Sequence, residues 1–421
     1  MDIRKLKGFR DILPGEALVW QHIEAAARRV FGLYGFEEIR LPLLEETRLF
    51  SRSIGEATDI VEKEMYTFAD TGGTSVTLRP EGTASAVRAY LENGLHRTDP
   101  KAKLYYMGPM FRRERPQKGR LRQFHQVGAE CFGWDEPGAD ADVLCLLWDF
   151  FGDLGLSGRV SLEVNSLGCA PDRSRYVGRL REHLRPRAEG LCENCRRRLE
   201  VNPLRVIDCK SVHCREVTAD VPSLLDDLCG DCADHFARVR RLLDLQGVPH
   251  AVNPRMVRGL DYYNRTTFEL LSGDLGAQNA VAAGGRYDGL VETLGGPAVP
   301  ALGFGLGVER LILLLGADAA SRPRPLVTLI HHGAEGLERA LVLRRELLGR
   351  GILADIDYES RSFKAQFRAA DRAGSRFALV LGEDEVAAGT AALKDLGAGT
   401  QEVLAVSDVV RRLTEASSVD S

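Results

Sequence analysis

The 421-residue chain has no apolar run of the roughly 18 residues that a membrane-crossing helix needs. Its most apolar stretch, LGFGLGVERLILLLG, is broken by Glu309 and Arg310, so no membrane span is expected. The start, MDIRKLKGFRDILPGEALVW, lacks the apolar centre of a secretory signal. GxxxxGK(S/T) does not occur, which excludes a P-loop. The glycines at 303, 305 and 307 do not have the spacing of a dinucleotide fingerprint. There is no excess of positive charge either. The balance of 56 Lys and Arg against 60 Asp and Glu leaves a net charge of -4, which argues against coating nucleic acid through bulk charge. No internal repeat is visible. Nine cysteines without a secretion signal read as reduced cytosolic thiols, some of them candidate metal ligands.

Positive charge is nonetheless concentrated in one place. In FRRERPQKGRLRQFHQVGAE, residues 111–130, Arg112, Arg113, Arg115, Lys118, Arg120 and Arg122 precede an apolar half, with Glu114 the acid among them. KLYYMGPMFRRE and QFHQVGAECFGW predict two long strands joined as an antiparallel hairpin with a basic tip. Side chains two apart share a face, so Phe124, Gln126, Gly128 and Glu130 line one side. His125, Val127, Ala129 and Cys131 line the other, and Arg112 and Glu114 share a face on the partner strand. Two readings fit: the polar face is a ligand floor, or the hairpin is a solvated edge laced with ion pairs.

Other stretches bear on that choice. TLRPEGT puts Glu81, Gly82 and Thr83 at a strand-to-helix junction, as part of a site or as a helix cap. RGLDYYNRT supplies Arg258 and the adjacent Tyr262 and Tyr263. Neighbouring residues of a strand point oppositely, so one tyrosine at most is expected in the core while the other faces a pocket. The glycines of ALGFGLGVERL would let a ligand approach the backbone.

The chain divides into a long antiparallel core, residues 1–325, and an α/β unit, residues 326–421, joined by ASRPRP (320–325). Residues from about 169 to 247 change character, with clustered cysteines, many arginines and short helices, and read as an insertion. In the C-terminal unit LVTLIHH, ILADIDY and RFALVLGE alternate with helices, predicting a mostly parallel sheet and a final helix after the third strand.

The order TLRPEGT, FRRE with Arg120-xxx-Phe124, RGLDYY, GGRYDGL and GFGLGVER resembles the class II aminoacyl-tRNA synthetases, and RGLDYY with GGRYDG resembles the histidyl-tRNA synthetase family. The resemblance covers essentially the whole chain. It implies an α+β fold: an antiparallel-sheet catalytic core with helices, an insertion domain and a C-terminal anticodon-binding α/β domain. FEEIRLP stands where the family's first motif would form a homodimer. The implied reaction joins L-histidine to ATP as histidyl-adenylate, then passes histidine to tRNA(His) in the cytoplasm.

By the same resemblance Arg112 grips the α-phosphate and Arg310 the γ-phosphate, with Arg120 beside it. Arg258 bridges the histidine carboxylate and the α-phosphate. Phe124 stacks on adenine and Glu114 accepts from its amino group. Glu130 and a tyrosine of the 262–263 pair serve the imidazole; Glu81, Gly82, Thr83 and Gln126 serve the amino-acid backbone. Mg2+ is expected with ATP, held partly by water and phosphate. The insertion would meet the tRNA acceptor arm. Synthetase-like regulatory paralogues typically lose catalytic arginines or the C-terminal domain; here Arg112, Arg258, Arg310 and residues 326–421 are present.

The insertion carries two knuckles, Cys192-x-x-Cys195 and Cys229-x-x-Cys232, with Cys209, His213 and Cys214 between them. Zinc takes four thiolates or imidazoles, so one structural zinc held by Cys192, Cys195, Cys229 and Cys232 is an expectation, with ordinary reduced thiols the alternative. The resemblance requires no such site.

Overall fold

The computed structural model describes residues 3–419 except 56, 57, 59, 277, 278, 317, 318, 321 and 360. Two compact units, Met1–Ala320 and Ser321–Ser421, divide the chain. The expected linker runs through residue 321, which lies outside the described residues.

The first unit is built on an eight-stranded sheet. Its strands are β1 (Glu37–Glu38), β2 (Lys103–Phe111), β3 (Gln123–Phe132), β4 (Ser161–Ser166), β5 (His250–Val252), β6 (Asn264–Leu271), β7 (Ala280–Arg286) and β8 (Ala301–Gly307). Across the sheet the order is β1-β2-β3-β8-β7-β6-β4-β5. Every pair is antiparallel except β1–β2 and β4–β5, at the two edges. FEEIRLP forms a shorter strand than expected, only Glu37–Glu38. Pro42, without an N–H, cannot extend a ladder.

Alternation along β3 sorts the two faces as the sequence predicts. Val127, Ala129 and Cys131 share one core with Ile23 and Phe31 of helix Pro14–Leu33 and with Leu147 of helix Pro137–Asp153. That first helix forms because its buried residues, Val19, Trp20, Ile23, Ala26, Ala27, Val30 and Phe31, recur at helical spacing. Pro14 opens it, and Gly35 (φ +77°) follows its end. The opposite face of the sheet is left for Phe124, Gln126 and Glu130.

GGRYDG contributes to the architecture as well. Arg286, at the end of β7, is fully buried and meets the equally buried Asp140 at 2.6 Å, with Asp288 at 3.2 Å. His235, from the last helix of the insertion, lies 3.3 Å from the same Asp140. These groups tie the sheet, helix Pro137–Asp153 and the insertion together.

A helix, Glu383–Ala388, does follow the third strand in sequence, but the C-terminal sheet corrects the expectation that it is mostly parallel. Ala354–Ile356, Val327–His331 and Phe377–Leu381 lie parallel, and an antiparallel hairpin, Thr390–Asp395 with Gln401–Ala405, extends the sheet beyond them. Asp395 Oδ1 accepts from the N–H groups of Gly397 and Ala398, both at 2.9 Å, and closes that hairpin. The alanine-rich AAGTAAL divides at Gly389: Ala387 and Ala388 end helix Glu383–Ala388, and from Thr390 on pairing with Phe377–Leu381 overrides helical propensity.

Candidate active site

A cavity of about 350 Å³ opens over the polar face of β3, β8 and β7, within the range of small-molecule sites. Phe124 and Gln126 of β3 form part of its floor, beside Gly305 and Gly307 of β8. Arg112, Glu114 and Arg120 reach it from the hairpin tip, Arg258, Tyr262 and Tyr263 from the loop before β6, and Arg310 from the helix after β8. Glu81 and Thr83 close one end.

The basic tip separates into two populations. Arg112 and Arg120 turn inward and flank Glu114, at 3.8 and 2.8 Å, and Arg112 lies 5.2 Å from the Phe124 ring centroid. Arg113, Arg115 and Lys118 are exposed. The reading of a purely solvated hairpin therefore fails for the inward half. Arg258 donates to Glu269, also in the cavity wall, while its buried Nε has no hydrogen-bond partner among the described residues. Arg310 donates to the Ala280 carbonyl. Burial, then the neighbouring Arg120 and Arg112, lower the pKa of Arg310. Clustered cations of this kind gain by receiving an anion.

Of the tyrosine pair one is in the core and the other half-buried against the cavity, as expected: Tyr263 is buried and Tyr262 is not. Tyr262 and Tyr263 precede β6 in a turn, so strand alternation does not apply, and both line the cavity with ring centroids 4.6 Å apart. Gly82 is not an open contact. A Cβ there would come within 2.1 Å of the Tyr106 ring, so its lack of a side chain makes room for that ring.

Glu130 lies beneath the cavity, fully buried, rather than in its wall. One of its carboxylate oxygens accepts from Thr83 Oγ1 at 2.8 Å and Tyr106 Oη at 3.0 Å, and the other from Tyr287 Oη at 2.5 Å. Glu81 is buried next to it and accepts from the Thr83 and Ala84 N–H groups at 2.6 and 3.0 Å, combining the cap and the site that the sequence left as alternatives. Gly303, opposite Glu130 in the ladder, leaves space for the carboxylate: a Cβ there would sit 1.9 Å from Oε2. Sequence reasoning missed Tyr106, Tyr287, Glu269 and Glu309. Tyr106 was within reach, because it pairs with Gly128 on the Gln126–Glu130 face. Glu309 fixes β3 by accepting from the His125 N–H at 3.0 Å.

Burial pushes the Glu130 carboxyl up to about 8, against the hydroxyls of Tyr287, Thr83 and Tyr106, which favour its charge. Its unfolded value is near 4.5. Between those values the folded chain binds more protons, so this group's stabilisation is complete below the lower one and is lost as pH rises through the upper one. Glu130→Gln should remove a pH dependence on the order of 1 kcal/mol per pH unit across that window, read by denaturant titration between acid and mildly alkaline pH. An unchanged slope would show that Glu130 does not carry it.

The geometry is matched by known proteins. The family model described as Histidyl-tRNA synthetase matches residues 8–186 and 210–311, and that described as Anticodon binding domain matches 326–416. The chain belongs to the histidyl-tRNA synthetase family. Histidine--tRNA ligase of Geobacter metallireducens is 58% identical over 95% of this chain and 96% of its own length. That of Geobacter sulfurreducens is 56% identical over 98% and 100%. The crystal structure of apo S. aureus histidyl-tRNA synthetase superposes with a TM-score of 0.83 at 33% identity, covering 98% of this chain and all of that one. The resemblance to the histidyl-tRNA synthetase family is thus established, with its fold class. No helix among the described residues is long and apolar enough to cross a membrane.

Proposed function

We propose that this chain is a histidine–tRNA ligase whose cavity performs both half-reactions. In the first, a carboxylate oxygen of L-histidine attacks the α-phosphorus of ATP. The bond to the α,β-bridging oxygen breaks, and pyrophosphate leaves with the electron pair. In the second, a hydroxyl of the terminal adenosine of tRNA(His) attacks the acyl carbon and AMP departs.

The observation that carries this reading is the convergence of Arg112, Arg120, Arg258 and Arg310 on one cavity floored by Phe124 and Gln126. Two anions must meet in the first step, and guanidinium groups remain charged while forking onto two oxygens. Arg258 serves the carboxylate and the α-phosphate, Arg112 the α-phosphate, and Arg310 with Arg120 the γ-phosphate. Phe124 offers its ring to adenine beside Glu114. Tyr262, Tyr263, Gln126, Glu81 and Thr83 surround the amino acid, with Glu130 ordering the hydroxyls of Thr83 and Tyr106 that border it.

Glu114 supplies carboxylate oxygens of the kind a hard cation takes, so the cavity fits Mg2+ carried in with ATP and held otherwise by water and phosphate. Bound there, Mg2+ would neutralise phosphate charge. The exposed Arg113, Arg115 and Lys118 suit the phosphates of the tRNA acceptor end, and the C-terminal unit the anticodon. Exposed Leu43 and Leu44, just after FEEIRLP, support a homodimer. None of the nine cysteines is paired in a disulfide, in keeping with the cytoplasm.

Histidine-dependent ATP–pyrophosphate exchange tests the proposal. Exchange that depends on L-histidine is expected. Folded protein with no exchange above a blank lacking histidine would instead favour a regulatory subunit.

A further inference from the structure

The two knuckles of the insertion do not meet in one site. Cys192 and Cys195 lie with Cys209 and Cys214, whereas Cys229 and Cys232 lie with Cys169 and Asp172. Within each group the candidate ligand atoms are all within 4.8 Å of one another. The sequence pairing of the knuckles fails because each CxxC begins a different helix, Glu193–Val201 and Gly230–Leu245, and each finds its partners at another point of the chain.

We propose that the insertion holds two structural zinc ions, one bound by Cys192, Cys195, Cys209 and Cys214, and the other by Cys169, Asp172, Cys229 and Cys232. Zinc–thiolate bonds of about 2.3 Å in a tetrahedron put the sulfurs roughly 3.8 Å apart. Cys192 Sγ lies 4.0 Å from Cys209 Sγ, and Cys169 Sγ lies 4.0 Å from Cys229 Sγ. A disulfide would need about 2.05 Å and a pairwise arrangement, and four ligand atoms converging on one point match neither. The Cys192 N–H donates to Cys214 Sγ at 3.2 Å, the kind of outer contact that orients thiolate ligands.

The second group is organised by two helix starts. Cys169 and Cys229 are the N-cap residues of helices Ala170–Leu184 and Gly230–Leu245. Asp172 is fully buried. Its Oδ1 accepts from the Cys229 N–H at 3.1 Å and from Arg175 at 2.5 Å, and its Oδ2 accepts from the Cys169 N–H at 3.3 Å. A carboxylate offers about four lone-pair sites, so three donors leave one for a metal. Thiolate-rich tetrahedral sets select zinc over magnesium or calcium.

Both sites have work to do in the fold. Helices Leu204–Ile207 and Val212–Val217 span one or two turns, too short to stand without tertiary support. Cys209 lies between them, and its neighbours Asp208 and Lys210 line the catalytic cavity. The first zinc therefore anchors a wall of that cavity. The second joins the insertion's entry at Cys169 to the start of its last helix at Cys229, 60 residues later. It also secures the helix whose Arg173 holds the Tyr263 carbonyl at 2.7 Å. The histidyl-tRNA synthetase match skips residues 187–209, so three of the eight ligands, Cys192, Cys195 and Cys209, fall outside it.

The test is elemental analysis of the full chain purified without chelator. About two zinc per chain are expected, with a mercurial thiol reagent releasing both, seen by a chromogenic zinc indicator. Cys192→Ser/Cys195→Ser and Cys229→Ser/Cys232→Ser should each lower the content to about one per chain. The mercurial release needs no variant, so it holds if a variant fails to fold. Cobalt-grown protein should show thiolate-to-cobalt charge transfer. Folded wild-type protein with under about 0.2 zinc per chain overturns both sites, and about one per chain overturns the two-site assignment. Iron in place of zinc overturns the choice of metal.

Discussion

Replacing Arg258 by alanine lowers the rate of histidine-dependent ATP–pyrophosphate exchange by roughly a thousandfold, about 4 kcal/mol of transition-state stabilisation, while KM for histidine shifts only a few-fold. The reason is where charge concentrates. Separated, the histidine carboxylate and the triphosphate each find counter-charge elsewhere in the cavity. As the new oxygen–phosphorus bond forms, their charges crowd around one point, and a guanidinium preorganised there gains most at that moment. Arg258 is held in place by Glu269 and by the face of Tyr263, 5.7 Å from its ring centroid.

That same ion pair supplies the competing explanation, a purely structural salt bridge. Glu269→Gln separates the two. If Arg258 only braces the wall, losing either partner has the same effect. If it acts on the reactants, Glu269→Gln costs far less than Arg258→Ala, and Arg258→Lys restores only part because an ammonium cannot fork onto two oxygens. Equal losses in rate and histidine affinity, or a Glu269→Gln variant as slow as Arg258→Ala, would contradict the role.

Removing residues 326–421 leaves exchange within about twofold of the full chain but lowers tRNA charging by two orders of magnitude or more. Exchange needs only the cavity, whose lining residues all precede the removed segment. The C-terminal unit has its own apolar core, including Val327, Leu343, Leu379 and Leu413, so its loss does not hollow out the catalytic core. Charging also depends on binding energy from tRNA far from the reacting ester, which positions the terminal adenosine. The measurement is exchange and aminoacylation on the same preparation, with circular dichroism to confirm folding. Unchanged charging would sink the anticodon assignment; loss of both activities in folded protein would show that the cavity depends on the second unit.

Phe124 and Gln126 were legible as sharing one face because the side a strand residue faces follows from parity alone. Arg112 and Glu114 lie just beyond the strand end at Phe111, and Arg120 came from the family resemblance. Arg258 and Arg310 joined them only through their resemblance to family motifs, since nothing local says which distant loops meet over a sheet. Tyr262 and Tyr263 divide as the sequence reading had it, Tyr263 buried and Tyr262 half-buried, but not through strand alternation, because the strand begins at Asn264. The C-terminal hairpin was missed because alanine-rich segments follow their neighbours rather than their own propensity.

What the sequence determined by itself is whatever depends on spacing along the chain: the sided hairpin, the helix opened by Pro14, the charge gathered into residues 112–122, and the motifs that mark the family. Tertiary structure alone decided how distant groups were matched. It set Glu130 beneath three hydroxyls instead of in the open, seated Arg286 on Asp140, and sent the two cysteine knuckles to separate partners. The physical reason is range. Periodicity acts within a few residues, whereas partner choice across tens of residues depends on strand register and on which surfaces pack, and every such pairing must be compatible with all the others at once.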